Sequence, residues 1–378
     1  MLLYLLVLEV GSFFDFKRKK NAFHFSIQDV RVWGQDGNSP AVGSLSVFET
    51  YASFKLGNYW WIKLGRQAVE LDNGRLFSKS NRSQFSRAHD GIRFNFEKKA
   101  IRSDFMFFYN QKQAANFGNS YPSNFYKFLA THYFVYTLSK KWNVKLLNSF
   151  DGFQHSPTSK KVFVRGTSGG RITYQTKKIG ATIAGYYQYG RYVTGHSIYA
   201  FYLQPEINAK IKKLKFRLGM EVVSGGVKPF PNAYSIYNAY HSFSSLYGVA
   251  FKFMGNLNYF TSFPNDLFGA GLVNPYFFIT YKVSPKFRLK LESHLFYTQQ
   301  NLDAFFYQKE PSYLGFESDF KLKYELNKET FFDFGFSVMA PTKSMALFKS
   351  GDYTKTPIYT HLTFTWRPTL FHAEQTIH

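Results

Sequence analysis

The stretch Phe287-Arg-Leu-Lys-Leu-Glu-Ser-His-Leu295 alternates apolar residues with charged or polar ones along almost its whole length. A period of two residues is typical of a β-strand that has one apolar and one polar face. The same alternation recurs in Leu214–Val222, Leu314–Tyr324, Phe332–Val338 and Ile358–Trp366. This repeated pattern predicts an all-β chain.

The composition excludes two other classes of protein. The 378 residues include 45 Phe, 28 Tyr and 5 Trp, an aromatic content that excludes a disordered chain. No uncharged apolar stretch reaches about 18 residues, so a bundle of transmembrane helices is excluded as well. The chain has no Cys, and its 47 Lys and Arg against 24 Asp and Glu give a formal net charge of +23.

A soluble β-sandwich also alternates, so the choice between it and a membrane barrel depends on two further features. The apolar faces extend over about 9 to 11 residues, which matches a tilted membrane strand. Short basic turns such as Lys17–Asn21 alternate with long polar loops such as Asp72–His89. We therefore predict one domain, 1–378, that forms an antiparallel up-and-down transmembrane β-barrel in the outer membrane of a Gram-negative bacterium. It has a water-filled lumen and long extracellular loops.

About 17 strands are visible in the pattern, whereas bacterial single-chain barrels have an even number. The prediction is a barrel of about 18 strands whose N-terminal strand is missing, with residues 1–7 as a truncated start and 372–378 as a tail. The longest connection, Gly226–Gly271, is rich in aromatic residues. It either folds into the lumen as a constriction or lid, or packs on its neighbours as an extracellular flap.

Alternation also assigns charged side chains to the lumen. The inward bases are Lys55, Lys63, Arg93, Arg102, Arg171, Lys215, Arg217, Arg288, Lys290, Lys321, Lys323 and Arg367. The inward acids are Glu9, Asp15, Glu49, Glu97, Asp104, Glu206, Glu221, Glu292, Glu317, Asp319, Glu325 and Asp333. Because the two sets are equal in number, the excess of positive charge lies largely in the short turns.

No motif predicts catalysis or a cofactor. The residues Gly166–Gly170 match the nucleophile-elbow pattern G-x-S-x-G, but that pattern requires a strand–turn–helix and this one lies within a predicted strand. The ten His have no metal-ligand spacing. Basic residues interleaved with aromatics can bind nucleic acid, but the strand period here favours a membrane protein. We predict no enzyme activity, no metal, no cofactor and no nucleic acid.

Several short segments resemble the alginate-export family of outer-membrane barrels, in its Bacteroidetes form. The segments are SIQDVRVWG (26–34), LGRQ (64–67), GRLF (74–77), RAHDG (87–91), AGYYQYG (184–190) and LYG (246–248) with the residues that follow to 260. The resemblance covers most of the chain from about Phe25 to Lys290. It implies an 18-stranded barrel whose channel passes an anionic uronate polymer outward.

Carried over by motif, the pore or constriction residues are Arg31, Arg66, Arg87, Asp90 and Arg93. Alternation places Arg66 out of phase with Lys63. An arginine on the lipid face at mid-depth costs about 2–4 kcal/mol, so we expect a β-bulge at Gly65 that turns Arg66 inward.

The sequence thus predicts a passive outer-membrane channel, or porin, for anionic or polar saccharides. Its selectivity comes from Arg and Lys of the lumen and loops, and the further substrate-binding residues are Lys63, Lys215, Arg217, Arg288 and Lys290. The partners are outer-membrane lipid, lipopolysaccharide and the anionic saccharide or another small polar solute. The alternatives are a general diffusion porin and a plugged structural or adhesion barrel without transport.

Overall fold

Long antiparallel strands make up most of the computed structural model, which describes residues 7–32, 45–79, 87–111, 125–156, 159–226, 239–248, 253–261, 265–301 and 311–369. The strands in these residues are β1 Val7–Lys17, β2 Asn21–Val32, β3 Ser46–Leu56, β4 Trp60–Gln67, β5 His89–Lys98, β6 Ile101–Tyr109, β7 Phe128–Thr137, β8 Trp142–Gln154, β9 Val162–Gln175, β10 Ile179–Arg191, β11 Ser197–Ile211, β12 Leu214–Val223, β13 Ala239–Tyr240, β14 Leu272–Lys282, β15 Phe287–Thr298, β16 Tyr313–Glu325, β17 Thr330–Pro341 and β18 Ile358–Trp366.

All of these strands except the two-residue β13 are long, and the long strands number seventeen in the described residues. Long strands that follow one another in the chain pair side by side in an up-and-down antiparallel sheet, whereas the short β13 pairs in parallel with β11. The alternating stretch Phe287–Leu295 lies within β15 and pairs with β14 and β16 without a shift in register. The predicted all-β fold is confirmed.

Helices are few and short in the described residues. A 3-10 turn covers Asn265–Leu267, and one α-helix, α1, covers Lys343–Lys349. Thr342 caps α1, because its side chain accepts a hydrogen bond from the backbone N–H of Met345. No helix in this part of the chain has the length and apolar character needed to cross a membrane.

The chain divides into two compact units. The first unit consists of residues 1–173, 184–202 and 231–253, and the second of residues 174–183, 203–230 and 254–378. In both units the strands have an apolar face and a polar face. We call the apolar face the outer face and the polar face the lumen face.

Strand β15 illustrates the two faces. Leu291 and Leu295 on its outer face are 40% and 36% exposed, an unusual exposure for leucine in a soluble core. Glu292 and His294 on its lumen face are only 3% and 2% exposed when the whole residue, backbone included, is counted. Apolar residues point outward and polar residues point inward, as a membrane barrel requires.

The assignment of the outer face predicts how a charge placed there changes the free energy of unfolding. Leu291→Arg should lower the free energy of unfolding in lipid vesicles by about 2–4 kcal/mol, because it places a charge against the hydrocarbon. A matched control, Thr363→Arg on the lumen face of β18, should change it by about 0.5 kcal/mol or less. Equilibrium unfolding in guanidinium measures both. Equal losses for the two variants would contradict this assignment of faces.

Candidate functional site

In the first unit, two arginines share one buried carboxylate on the lumen face. Asp104 of β6 is completely buried, with 0% of its side chain exposed. It accepts hydrogen bonds from Arg93 on β5 (Nη2 to Oδ1, 3.0 Å), from Arg102 (Nη2 to Oδ2, 2.9 Å) and from Asn95 (2.6 Å). Two guanidinium groups on one carboxylate leave one positive charge, so this cluster is cationic.

Lys63 of β4 adds a third cation beside this pair. It is the cross-strand partner of Arg93 in the β4–β5 register. Its ammonium lies 3.8 Å from the ring centre of Tyr51, a cation–π contact. Tyr51 in turn stacks on His24, at a distance of 5.0 Å between ring centres. Lys63, Arg93, Arg102 and Asp104 together carry a net charge of about two positive units.

The predicted bulge at Gly65 is wrong. The β3–β4 and β4–β5 pairings run through Gly65 without a shift in register. Arg66 therefore lies on the outer face with Leu64, and its cross-strand partner Asp90 lies there with Ile92. The two are not in the lumen, where the motif resemblance put them.

A bidentate ion pair explains how Arg66 is tolerated on the outer face. Its Nε and Nη2 donate to the two carboxylate oxygens of Asp90, both at 2.8 Å. Each residue is one position from the loop end of its strand, where both side chains are about half exposed. A neutralised pair near the end of a strand avoids the cost of an isolated charge at mid-depth.

The other two residues taken from the resemblance are less informative. Arg31 lies in the backbone of β2 opposite Leu8, and its side chain falls outside the described residues. Arg87 lies in the loop before β5, is exposed, and donates from Nη1 to the backbone oxygen of Gly248 at 3.3 Å. Arg87 thus contacts another loop of the first unit.

In the second unit, the lumen face of β11, β12 and β14 carries an ion pair with a tyrosine. Arg217 on β12 donates to Glu206 on β11, with Nη2 at 2.5 Å from Oε2. The Tyr276 hydroxyl of β14 donates to the same carboxylate at 2.8 Å and accepts from Gln204 at 3.1 Å. These contacts fix the Arg217 guanidinium 5.1 Å from the ring centre of Phe278.

Next to it, two lysines share a carboxylate. Lys290 of β15 and Lys321 of β16 are cross-strand partners, and both form ion pairs with Glu292. Lys290 also lies 5.4 Å from the ring centre of Phe278, so this ring contacts Lys290 as well as Arg217. The other two predicted bases, Lys215 and Arg288, are exposed on the same lumen face and form no ion pair in the described residues.

A common feature of these pairs is that the acid is buried and the base is more exposed. Asp104 is 0% exposed and Arg102 43%; Glu292 is 4% exposed and Lys290 32%; Glu206 is 8% exposed and Arg217 27%. Long basic side chains extend their charged ends toward water, whereas short carboxylates stay close to the backbone. A solute at the lumen surface would therefore meet the cations first.

A loop segment of the first unit, 69–78, lies against the lumen face and is tethered there by Asp72. The Asp72 carboxylate receives Lys145 Nζ at 2.6 Å, Tyr133 OH at 3.0 Å and Tyr186 OH at 3.3 Å. Val69, Leu71 and Phe77 of this segment are buried. The segment is therefore part of the lumen lining of this unit.

Tyr247 holds a second segment, residues 239–248, against segment 69–78. The backbone of Tyr247 forms hydrogen bonds with the backbone of Leu76 and Ser78, and the Tyr247 hydroxyl donates to Asp151 Oδ2 at 2.6 Å. Burial, reinforced by the Asp151 carboxylate, raises the pKa of Tyr247 well above its ordinary value, so the hydroxyl remains a donor. Asp151 is also paired with Arg165 by a bidentate contact of 3.0 and 2.5 Å.

The sequence motifs that could suggest other chemistry have structural explanations. Gly166–Gly170 lies inside β9, so it lacks the turn and helix of a nucleophile elbow, and the Ser168 hydroxyl is 3.0 Å from that of Tyr189. No group of three or more His, Asp or Glu side chains in the described part of the chain is arranged to hold a metal ion.

Known proteins are similar to this chain in fold and not in sequence. No family model matches the chain, and no curated protein is similar to it in sequence. In fold, this chain is similar to solved structures of the OprD/Occ porins. OpdK of Pseudomonas aeruginosa, in a structure with vanillate, has a TM-score of 0.64 at 10% identity, over 95% of this chain and 92% of that one.

Two further structures are similar over most of both chains. OccD3 (OpdP) of Pseudomonas aeruginosa has a TM-score of 0.62 at 10% identity, over 96% of this chain and 86% of that one. OccAB1 of Acinetobacter baumannii has a TM-score of 0.59 at 9% identity, over 96% and 95%.

The fold is that of an outer-membrane β-barrel. An antiparallel barrel with an apolar outer face is a structure built for that membrane, and the predicted location is confirmed. The alginate-export family in particular is not supported by the comparisons, so that resemblance stays a prediction.

Several residues of this site were predicted to face the lumen without being recognised as site residues. Arg102, Asp104, Glu292 and Lys321 all belong to the inward sets, but alternation does not show which side chains meet. The tethers Asp72–Lys145 and Tyr247–Asp151 link positions 73 and 96 residues apart. No local signal in the sequence predicts such contacts.

The contacts of Asp72 predict that its removal destabilises the protein. Asp72→Ala should reduce the free energy of unfolding by about 2 kcal/mol, because it removes a charged acceptor from Lys145 and two tyrosines. The control is Asp352→Ala, which removes an exposed carboxylate that bonds only to its own loop in the described residues. A loss for Asp72→Ala no larger than for the control, in urea unfolding, would contradict the tether.

Proposed function

We propose that this protein is a passive outer-membrane channel for small anionic solutes, chiefly carboxylates. The observation that carries the proposal is the burial of three lumen acids, Asp104, Glu206 and Glu292, beside cations that are more exposed. Such a wall presents positive charge to a passing solute although its acids and bases are balanced in number. Rings of Arg and Lys are the usual lining of anion-selective pores.

Aromatic rings beside the cations favour a solute with a flat or cyclic body. Tyr51 lies under Lys63, and Phe278 lies next to Arg217 and Lys290. Phe278 is buried, so it positions its two cations and does not itself meet a solute. The partly exposed Tyr51 ring offers an apolar surface for a sugar or an aromatic acid, while Lys63 binds the carboxylate. The similar OpdK structure was solved with vanillate, an aromatic carboxylate, which agrees with this class of solute.

A small acidic saccharide falls within the same class, whereas the family resemblance implies a uronate polymer. Segment 69–78 and residues 239–248 occupy space along the lumen face of the first unit. Space filled in this way favours a mono- or disaccharide acid over a polymer. Lys63, Arg93, Lys215, Arg217, Arg288 and Lys290 are the proposed solute-binding residues.

The test is single-channel recording of the refolded protein in planar bilayers. Reversal potential in a KCl gradient measures anion preference, and block by galacturonate is compared with block by neutral galactose. Anion preference with block by the acid alone supports the proposal. Conductance without preference or block would leave a general porin, and absence of conductance from a folded barrel would leave a plugged structural role.

The lumen cluster makes a charge prediction. Lys63→Gln should lower the anion-to-cation permeability ratio by about two- to fivefold, because one unit charge at about 4 Å in water is worth about 1 kcal/mol. Lys141→Gln removes the same charge from the exposed turn between β7 and β8 and should leave the ratio unchanged. Equal effects of the two variants would show that charges at the ends of the barrel select the ion as strongly as Lys63 does.

A further inference from the structure

In the second unit, residues 254–261 lie against the lumen face of β16 and β17 and are held there by two acids. The backbone N–H of Leu257 donates to Glu317 Oε1 at 2.9 Å, and that of Asn256 donates to Asp319 Oδ2 at 3.1 Å. The Asn256 amide also contacts Ser337 Oγ at 3.4 Å. Each acid thus uses one oxygen to hold the segment.

The second oxygen of each acid has no ordinary donor. Glu317 and Asp319 are 0% and 1% exposed, and neither Glu317 Oε2 nor Asp319 Oδ1 has a hydrogen-bond partner of its own. The two side chains are two positions apart on one strand, so they share a face, and their carboxyl groups are brought together because they accept from the consecutive backbone N–H groups of Asn256 and Leu257. Two carboxylates this close and this well buried cannot both be ionised.

The surrounding charges do not neutralise the pair directly. Lys321, on the same face of β16, is already bound to Glu292. From β15, Lys290 is bound to Glu292 as well, and His294, the cross-strand partner of Glu317, bonds to Asn274. From the covering segment itself, the nearest titratable group is Tyr259.

The fit of the segment leaves little room for a metal ion on its side of the pair. Gly255 has a φ of +81°, and a Cβ added there would lie 2.4 Å from the Glu317 carboxyl atoms. A bound cation needs several oxygen ligands, and no group of three acids or histidines meets in the described residues. A proton needs no additional space.

We propose that Glu317 and Asp319 share one proton and that this proton fastens residues 254–261 to the lumen wall. When the shared proton is lost at alkaline pH, the two like charges repel each other. At least one carboxylate then turns away and takes up water, and it releases the backbone N–H that it held. The segment leaves the wall, so the lining of this part of the lumen depends on pH.

The absence of native cysteine makes the test direct, because one introduced thiol is the sole labelling site. Leu257→Cys keeps the backbone N–H and reports on the segment through its rate of maleimide labelling in vesicles, from pH 6 to pH 9.5. Asn58→Cys, in the exposed turn between β3 and β4, corrects for the ionisation of the thiol. The ratio of the two rates should rise about tenfold as the anchor is lost.

Glu317→Gln in the Leu257→Cys background is the decisive variant. Its amide oxygen still accepts from the Leu257-position N–H and its NH₂ still donates to Asp319, but it has no proton to lose, so the rate ratio should stay flat. If Glu317→Gln does not fold, Asp319→Asn is the alternative variant, because it also replaces one acid of the pair by an amide that has no proton to lose. Asp333→Asn, on the lumen face of β17, is the matched control and should keep the rise.

Three results would overturn the proposal. They are a flat ratio in the parent protein, a rise in both Glu317→Gln and Asp319→Asn, and a change in the ratio at neutral pH when Mg²⁺ or Ca²⁺ is added or removed with a chelator. The last result would mean that a metal ion, not a proton, neutralises the pair. Labelling requires no solute transport, so these outcomes are independent of the proposed channel function.

Discussion

The constraint on which the structure depends is that no water in the hydrocarbon core can satisfy a backbone N–H or C=O. Every strand must therefore be paired on both sides, and side chains must alternate between lipid and lumen. This requirement explains why apolar and polar residues alternate in Phe287–Leu295 and why leucines of β15 are exposed on the outer face. It also explains the pairing of Arg66 with Asp90, because an outward charge needs a partner of opposite sign.

The lumen face has a related constraint, since a charge that is covered by chain also needs a partner. The acids meet it in two ways. Asp104, Glu206 and Glu292 form ion pairs with bases of the lumen face, and Asp104 and Glu292 each pair with two of them. Asp72, Asp151, Glu317 and Asp319 instead hold chain segments against the wall, through lysine, tyrosine or backbone donors. Carboxylates thus contribute both to the charge of the lumen and to the position of the segments that line it.

The sequence predicted the strands because a period of two is a local property that each strand carries by itself. It failed at Gly65 because register depends on the neighbouring strands, which continue past this glycine without a shift. It could assign Arg93 and Asp104 to the lumen but could not show that they bond, because they lie on different strands. It left the position of 226–271 open for the same reason. The contacts of Tyr247 with Asp151 and of Leu257 with Glu317 join residues 96 and 60 positions apart.

Equal numbers of inward acids and bases do not by themselves imply a lumen without preference for either ion. A count weights every charge equally, whereas a solute responds to the charges near its path. Asp104 is 0% exposed under an Arg102 that is 43% exposed, and Glu292 is 4% exposed under a Lys290 that is 32% exposed. Because interaction falls with distance and with screening by water and salt, the outer layer of cations dominates. Balance in composition is therefore compatible with a positive surface, and the depth of each charge, not its number, determines which ion such a wall attracts.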